Sequence, residues 1–204
     1  MRIVCISDTH EQHDDVVLPD GDILIHAGDA TWVGENKALK KFSEWFMSQP
    51  HKYKIFIGGN HDGGLQLKKY NVPKEIIYLE NSGCEIGGLK FWGSPLTPTF
   101  GNWYFMGDTY LLKETWDKIP FGLDVLITHG PPYTILDGTI DGRHVGCKFL
   151  LDAVEIKTPK HHIFGHIHHS YGVYNNGVTK FVNASICDED YKPVNKPVVI
   201  DLEG

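Results

Sequence analysis

Cysteine is scarce and unpaired: Cys5, Cys84, Cys147 and Cys187 lie far apart in the 204 residues, with no CxxC spacing among them. That excludes a thiolate-rich structural zinc site and favours reduced thiols acting as small hydrophobes. No apolar run approaches the roughly 20 residues that a bilayer-spanning helix needs. The first residues, Met1-Arg2-Ile3-Val4-Cys5-Ile6-Ser7-Asp8, form a short apolar strand cut off by an acid, not the apolar centre of a signal peptide. The expectation is a reducing, cytoplasmic setting with no membrane partner. Basic charge is also short. Lys and Arg total 19 against 26 Asp and Glu, a net charge of -7, and the basic doublets are Lys40-Lys41 and Lys68-Lys69. A protein that follows a long nucleic acid along its phosphates carries a basic face. A polymeric nucleic-acid partner is therefore not expected, and a small phosphorylated substrate suits the charge better. Repeats, low-complexity tracts and linkers are absent too, so residues 1–204 read as a single domain.

Histidine, by contrast, is abundant, with twelve residues. Surplus imidazole without paired cysteines points to catalysis or to a nitrogen- and oxygen-ligated metal site. Short apolar, β-branched runs recur at 3–6, 23–25, 53–57, 89–92, 125–127, 162–164, 180–182 and 198–200. Most are continuous rather than alternating, as expected of strands covered on both faces. Between them, Leu39, Phe42, Trp45 and Phe46 share one helical face that Pro50 soon closes, and 108–119 and 146–156 show similar spacing. Gly87-Gly88 and Asn175-Asn176-Gly177 read as hairpin turns. The fold class is α/β, a layered sandwich of sheets and helices. The irregular stretches 97–110 and 131–145 are candidate covers for a site.

Five segments share one layout, an apolar strand followed at once by Asp, Asn or His. They are Ile6-Ser7-Asp8-Thr9-His10, His26-Ala27-Gly28-Asp29, Ile57-Gly58-Gly59-Asn60-His61-Asp62, Ile127-Thr128-His129-Gly130 and Phe164-Gly165-His166-Ile167-His168. The carboxyl ends of strands in an open α/β sheet face a shared crevice, so residues distant in sequence converge there. Asp8 and His10 are two apart, as are His166 and His168, so near-extended backbone aims both members of a pair to one side. Gly28, Gly59 and Gly165 permit sharp turns and close backbone approach. Carboxylate, amide oxygen and imidazole without thiolate suit Mn, Fe or Zn better than an all-oxygen magnesium cage. A strand ending in Asp, or a lone buried His, is a common structural feature; the conjunction of five carries the reading.

At these residues the sequence resembles the calcineurin-like metallophosphoesterase superfamily, whose ordered pattern is Asp-x-His, Gly-Asp, Gly-Asn-His-Asp/Glu, a lone His, and Gly-His-x-His. It is similar most of all to the branch of metallophosphoesterase-domain-containing proteins, through Cys5-Ile6-Ser7-Asp8-Thr9-His10, Gly93-Ser94-Pro95, Thr128-His129-Gly130-Pro131-Pro132, Val145-Gly146-Cys147 and Asn183-Ala184-Ser185. The likeness covers residues 2–202. It implies a metallophosphoesterase-type sandwich of two mixed β-sheets flanked by α-helices. It implies two divalent metal ions, with Mn2+ expected and Fe2+ or Zn2+ compatible. Asp8, His10 and His168 would hold one, Asn60, His129 and His166 the other, and Asp29 would bridge them. His61 would be the catalytic imidazole outside the metals, oriented by Asp62.

The implied activity is hydrolysis of small phosphodiesters, cyclic nucleotides among them, by a hydroxide shared between the metals with His61 as general acid. Protein phosphatases of the superfamily follow Gly-Asp closely with Asp-Arg-Gly, whereas this chain reads Gly28-Asp29-Ala30-Thr31-Trp32-Val33-Gly34. A phosphoprotein substrate is not expected. A non-catalytic scaffold of the same fold, a nuclease and a phosphomonoesterase are the other readings. Phe100, Arg143 and His144 are candidate substrate contacts on the two loops. Phe100, Trp103, Tyr104, Phe105 and Tyr133 either stack on a substrate ring or simply pack their loops onto the body. His26 is expected as a hydrogen-bonded core residue; His13, His51, His161, His162 and His169 as surface or strand-edge residues.

Overall fold

The computed structural model describes residues 1–202. The apolar runs become strands β1 (Arg2–Ile6), β2 (Ile23–His26), β3 (Tyr53–Phe56), β4 (Ile77–Tyr78), β5 (Ser82–Ile86) and β6 (Leu89–Ser94). There follow β7 (Thr97–Pro98), β8 (Met106–Gly107), β9 (Val125–Thr128), β10 (His161–Phe164), β11 (Gly172–Asn175), β12 (Lys180–Asn183) and β13 (Val198–Asp201). The helices are α1 (Asn36–Ser48), α2 (Gly63–Gln66), α3 (Thr109–Asp117) and α4 (Lys148–Lys157). Asp108, read as helical from the sequence, is instead the N-cap of α3, accepting from Leu111 N at 2.9 Å.

One sheet runs β13-β1-β2-β3-β4, parallel except for β13. The other runs β11-β12-β10-β9-β6-β5, with parallel strands inside and antiparallel edges. Both sheets are therefore mixed. At the β5–β6 hairpin Gly87 and Gly88 take φ of 57° and 82°, the left-handed pair that a two-residue turn requires. The irregular stretch 97–110 holds a short parallel pair, β7 with β8, which joins Thr97 to Met106.

Alternate residues explain why the strands read as continuous apolar runs. Ile3, Cys5, Ile25 and Ile55 of the first sheet share one core with Phe91, Val125, Ile127, Ile163 and Val182 of the second. Their neighbours Val4, Leu24, Phe56, Leu126, Phe164 and Phe181 face the helical layers, with Phe42, Phe46, Trp116 and Leu150. Truncating a buried aromatic such as Phe42 costs about 3–5 kcal/mol. Cys5, Cys147 and Cys187 are buried free thiols. No helix among the described residues is long and apolar enough to cross a membrane.

Three histidines depart from the surface reading. His13, His51 and His162 are buried. His13 packs between Phe42 and Trp45, with ring centroids 5.6 and 4.9 Å away. His51 lies 3.0 Å from the Pro19 carbonyl. His162 sits on the interior strand β10 and donates to Thr128 Oγ1 at 2.8 Å, because that hydroxyl itself donates to the Gly130 carbonyl. His26 is the core residue expected, 2.9 Å from Thr9 Oγ1.

Burial drives His162 down to about 3 and His13 down to about 4, so the folded chain keeps both rings neutral. The unfolded chain protonates them below about 6.5, so their contribution is complete above that pH and is lost as pH falls towards the folded values. Urea unfolding midpoints are expected to drop steadily between about pH 6.5 and pH 4, and His162→Phe should flatten that slope by about 1.4 kcal/mol per pH unit. An unchanged slope in that variant would show that His162 stays accessible to protons.

Candidate metal centre

The carboxyl ends of the parallel strands from both sheets meet at one edge. Ser7 N donates to the Ala184 carbonyl at 2.9 Å, Ile186 N donates back to the Ser7 carbonyl at 2.9 Å, and Gly165 N donates to the His129 carbonyl at 3.0 Å. Asp8 and His10 follow β1, Asp29 follows β2 and Asn60 follows β3, while His129, His166 and His168 follow β9 and β10. Asp8, His10, Asp29 and His166 all have positive φ, at 51°, 41°, 56° and 71°. Each such residue costs about 1–3 kcal/mol, and this kind of strain collects at functional sites.

Three donor groups result: Asp8 with His10 and His168, His10 with Asp29 and His61, and Asp29 with His129 and His166. Within each group the ligand atoms lie within 4.8 Å of one another. His10 Nε2 is 3.4 Å from His168 Nε2, and His168 Nε2 is 3.5 Å from Asp8 Oδ1. On the other side His129 Nε2 is 2.9 Å from Asn60 Oδ1 and 3.1 Å from Asp29 Oδ2. His129 Nδ1 faces the Ala27 carbonyl at 2.9 Å, and His168 Nδ1 faces the Asp188 carbonyl at 2.8 Å. Each Nδ1 therefore carries a proton, which leaves Nε2 as the ring atom aimed inward, the orientation metal-ligating imidazoles require.

The electrostatics fit a cation. Burial opposes ionisation of Asp8, but the adjacent His168 holds its carboxyl well below the usual range; His129 does the same for Asp29. Burial also pushes His129 down, yet the Asp29 carboxylate overrides it and lifts the ring to about 9. His10 and His166 are lowered by burial to about 4 and about 3. Asp8 and Asp29 thus stand among inward-facing ring nitrogens, and bound cations would take the place of the protons that otherwise offset their charge. Carboxylate, amide and imidazole with no thiolate match the nitrogen- and oxygen-ligated divalent metals.

His61 and Asp62 are arranged differently from the sequence expectation. The His61 ring places Nδ1 2.6 Å from the Trp32 carbonyl and lies 4.2 Å from the Trp103 ring, while its backbone N–H donates to Asp29 Oδ1 at 2.7 Å. Asp62 does not orient that ring. Its buried carboxylate accepts from Gly59 N at 2.9 Å, Thr31 N at 3.0 Å, Thr31 Oγ1 at 2.8 Å and Ala30 N at 3.2 Å, tying the loop after β2 to the loop after β3. Burial first, then the charge of Asp29, raises Asp62 to about 6.

A cleft of about 750 Å³ opens over the donor groups. Phe100 lines it, with its ring 5.1 Å from that of His166. Arg143 lines it too, although its guanidinium is held by Asp141 at 2.6 Å. His144 does not: its ring is drawn to the buried Asp137 at 2.6 Å and borders the neighbouring cavity. The sequence reading missed Trp32 and Tyr191, whose rings lie 5.0 and 4.9 Å from His10. Both sit in aperiodic loops, and only the position of Trp32 just past Gly28-Asp29 hinted at a role.

The sequence profile of the calcineurin-like phosphoesterases matches residues 1–170. The chain belongs to that family. Among its curated relatives, human metallophosphoesterase domain-containing protein 1 is 41% identical over 230 residues, which cover 98% of this chain and 71% of the human protein. A UPF0046 protein of Caenorhabditis elegans is 40% identical, covering 98% of this chain and 74% of its own. Among solved structures, TT1561 of Thermus thermophilus superposes with a TM-score of 0.64 at 13% identity, over 89% of this chain and 88% of that one. That last likeness bears on the fold alone.

In this calcineurin-like phosphoesterase the motif glycines are set by the donor groups. A Cβ on Gly165 would overlap Asp8 Oδ2 and Ser7 Oγ, and one on Gly59 would overlap Asp29 Oδ1. Gly165→Ala is expected to displace the Asp8 carboxylate and reduce bound metal, read by elemental analysis, while circular dichroism stays that of the parent. Full metal content in a folded Gly165→Ala protein would remove Asp8 from the donor set.

Proposed function

We propose that the chain is a metal-dependent phosphodiesterase acting on small phosphodiesters such as cyclic nucleotides. The observation that carries this reading is the linkage of the three donor groups: His10 joins Asp8 and His168 to Asp29, Asp29 joins His10 and His61 to His129 and His166, and His61 stands on the cleft wall. Asp8, His10 and His168 would hold one divalent ion, and Asn60, His129 and His166 the other, with Asp29 common to both. Mn2+ is the working assignment; Fe2+ and Zn2+ suit the same donors. A metal pair bound there supplies a water acidified towards neutrality and offsets charge on the phosphoryl oxygens.

The chain's own residues do the rest. The Trp32 carbonyl fixes the His61 tautomer, so that Nε2 is the nitrogen available to the cleft. The protonated ring can deliver the Nε2 proton to the leaving oxygen as its P–O bond breaks, a step that general acids commonly speed by about 10²- to 10⁴-fold. Phe100 and Trp103 offer ring faces for a base or aryl group. The cleft volume lies in the ordinary range for small-molecule sites, roughly 300–1,000 Å³. With a net charge of -7, polymeric nucleic acid is a poor match.

His61→Ala should lower kcat on a bis-aryl phosphate by about 10²- to 10⁴-fold while metal content stays at the wild-type level. Asp29→Ala should instead lose metal. Turnover of a poor-leaving-group ester at wild-type rate by His61→Ala would end the general-acid assignment, and undiminished metal in Asp29→Ala would end the bridging one.

A further inference from the structure

Asn183-Ala184-Ser185 at the end of β12 takes no part in the chemistry drawn above, yet its polar atoms support the metal centre from behind. Asn183 and Ser185 are fully buried. The Asn183 amide nitrogen donates at 2.8 Å to the carbonyl of Ile167, the residue between His166 and His168, and at 3.3 Å to the carbonyl of Leu136 in the cleft loop. Its amide oxygen accepts from Ser185 N at 3.1 Å and lies 2.8 Å from the Ser185 hydroxyl. Two carbonyls facing one end of the amide fix its orientation, because only the NH2 end can satisfy them.

Ser185 extends this support to the first motif. Its hydroxyl lies 2.9 Å from Asp8 Oδ2. The same carboxylate oxygen also accepts from His166 N at 2.9 Å and from the Ser7 hydroxyl. His166 N also reaches Oδ1, at 3.1 Å, so Oδ2 takes both hydroxyl contacts while Oδ1, the atom 3.5 Å from His168 Nε2, keeps a second lone pair to face a cation.

We infer that Asn183 is a positioning residue that sets the spacing between the two cation sites. It clamps the Ile167 peptide, and with it a histidine pair whose members serve different ions. Through Ser185 it also presents Asp8 with Oδ1 forward. Strand β12 does not need the amide to stay in place, since it is hydrogen-bonded to β10 on one side and β11 on the other. This inference rests on the dinuclear reading of the site.

The test uses the full chain loaded with Mn2+ and read by electron paramagnetic resonance, because two ions sharing a carboxylate give a spin-coupled signal that isolated ions lack. In Asn183→Ala and in the near-isosteric Asn183→Asp, both Mn2+ binding steps should weaken by about 10- to 100-fold, with isolated-ion signal replacing the coupled one. Ser185→Ala should weaken only one step, that of the ion held by Asp8. Circular dichroism of each metal-free chain checks folding. If Asn183→Ala does not fold, Asn183→Asp and Ser185→Ala carry the test. Folded variants with wild-type coupling and affinities overturn the positioning role alone. A wild-type chain with no coupled signal overturns the dinuclear reading, and this inference with it.

Discussion

Ser7 stands where the two sheets touch. Its N–H and carbonyl are both engaged by the segment after β12, so it forms a parallel bridge with Ser185 across the sandwich. Elsewhere the sheets are separated by side chains of a shared apolar core; here backbone meets backbone. That one junction decides the geometry of everything polar beside it. A single sheet would present its strand ends along a line. Two sheets joined at their carboxyl ends present donors from opposite sides of a gap, with Asp8, Asp29 and Asn60 on one side and His129, His166 and His168 on the other. Donors must surround a cation rather than border it, and the junction makes that possible.

The same edge is where local rules are broken most densely. Four donor residues occupy the left-handed region, the carboxylates of Asp8, Asp29 and Asp62 are buried, and His10 Nδ1 is buried without a partner. Neither the left-handed residues nor the unpartnered ring nitrogen helps the apo chain fold. They persist because the apolar core and the strand ladders on both sides over-determine the backbone. A divalent ion binding the folded but not the unfolded chain would return stability by mass action. The site and the core are thus complementary: one supplies rigidity, the other spends it.

Much of this was legible from residue order because the strands are short, apolar and punctuated. A run such as Ile3 to Ile6 followed by Ser7-Asp8 signals both the strand and the position of its carboxyl end, and five such signals place seven donors at one edge. Tertiary partners were less legible. The family resemblance implied that Asp62 orients the His61 ring, but its carboxylate is claimed by Gly59, Ala30 and Thr31, and no spacing rule announces a loop from another strand. His162 looked like a strand-edge residue until β10 proved to lie inside its sheet. His144 was drawn from the cleft by Asp137, a buried acid seven residues earlier. The short elements α2, β7 and β8 carry too few residues for any periodicity to show.

The division of labour between Asp62 and the Trp32 carbonyl bears on how an imidazole works beside cations. A carboxylate at Nδ1 would stabilise the imidazolium with a full charge and so oppose release of its proton. A carbonyl orients the ring and fixes its tautomer with a dipole alone. Asp62 is kept from the ring by four protein donors, so its charge is spent on holding two backbone turns together. Those turns carry Asp29 and Asn60, the donors nearest His61 in the chain. Asp62 therefore acts on the site through the backbone that positions it, and the His61 ring is held by the Trp32 carbonyl instead.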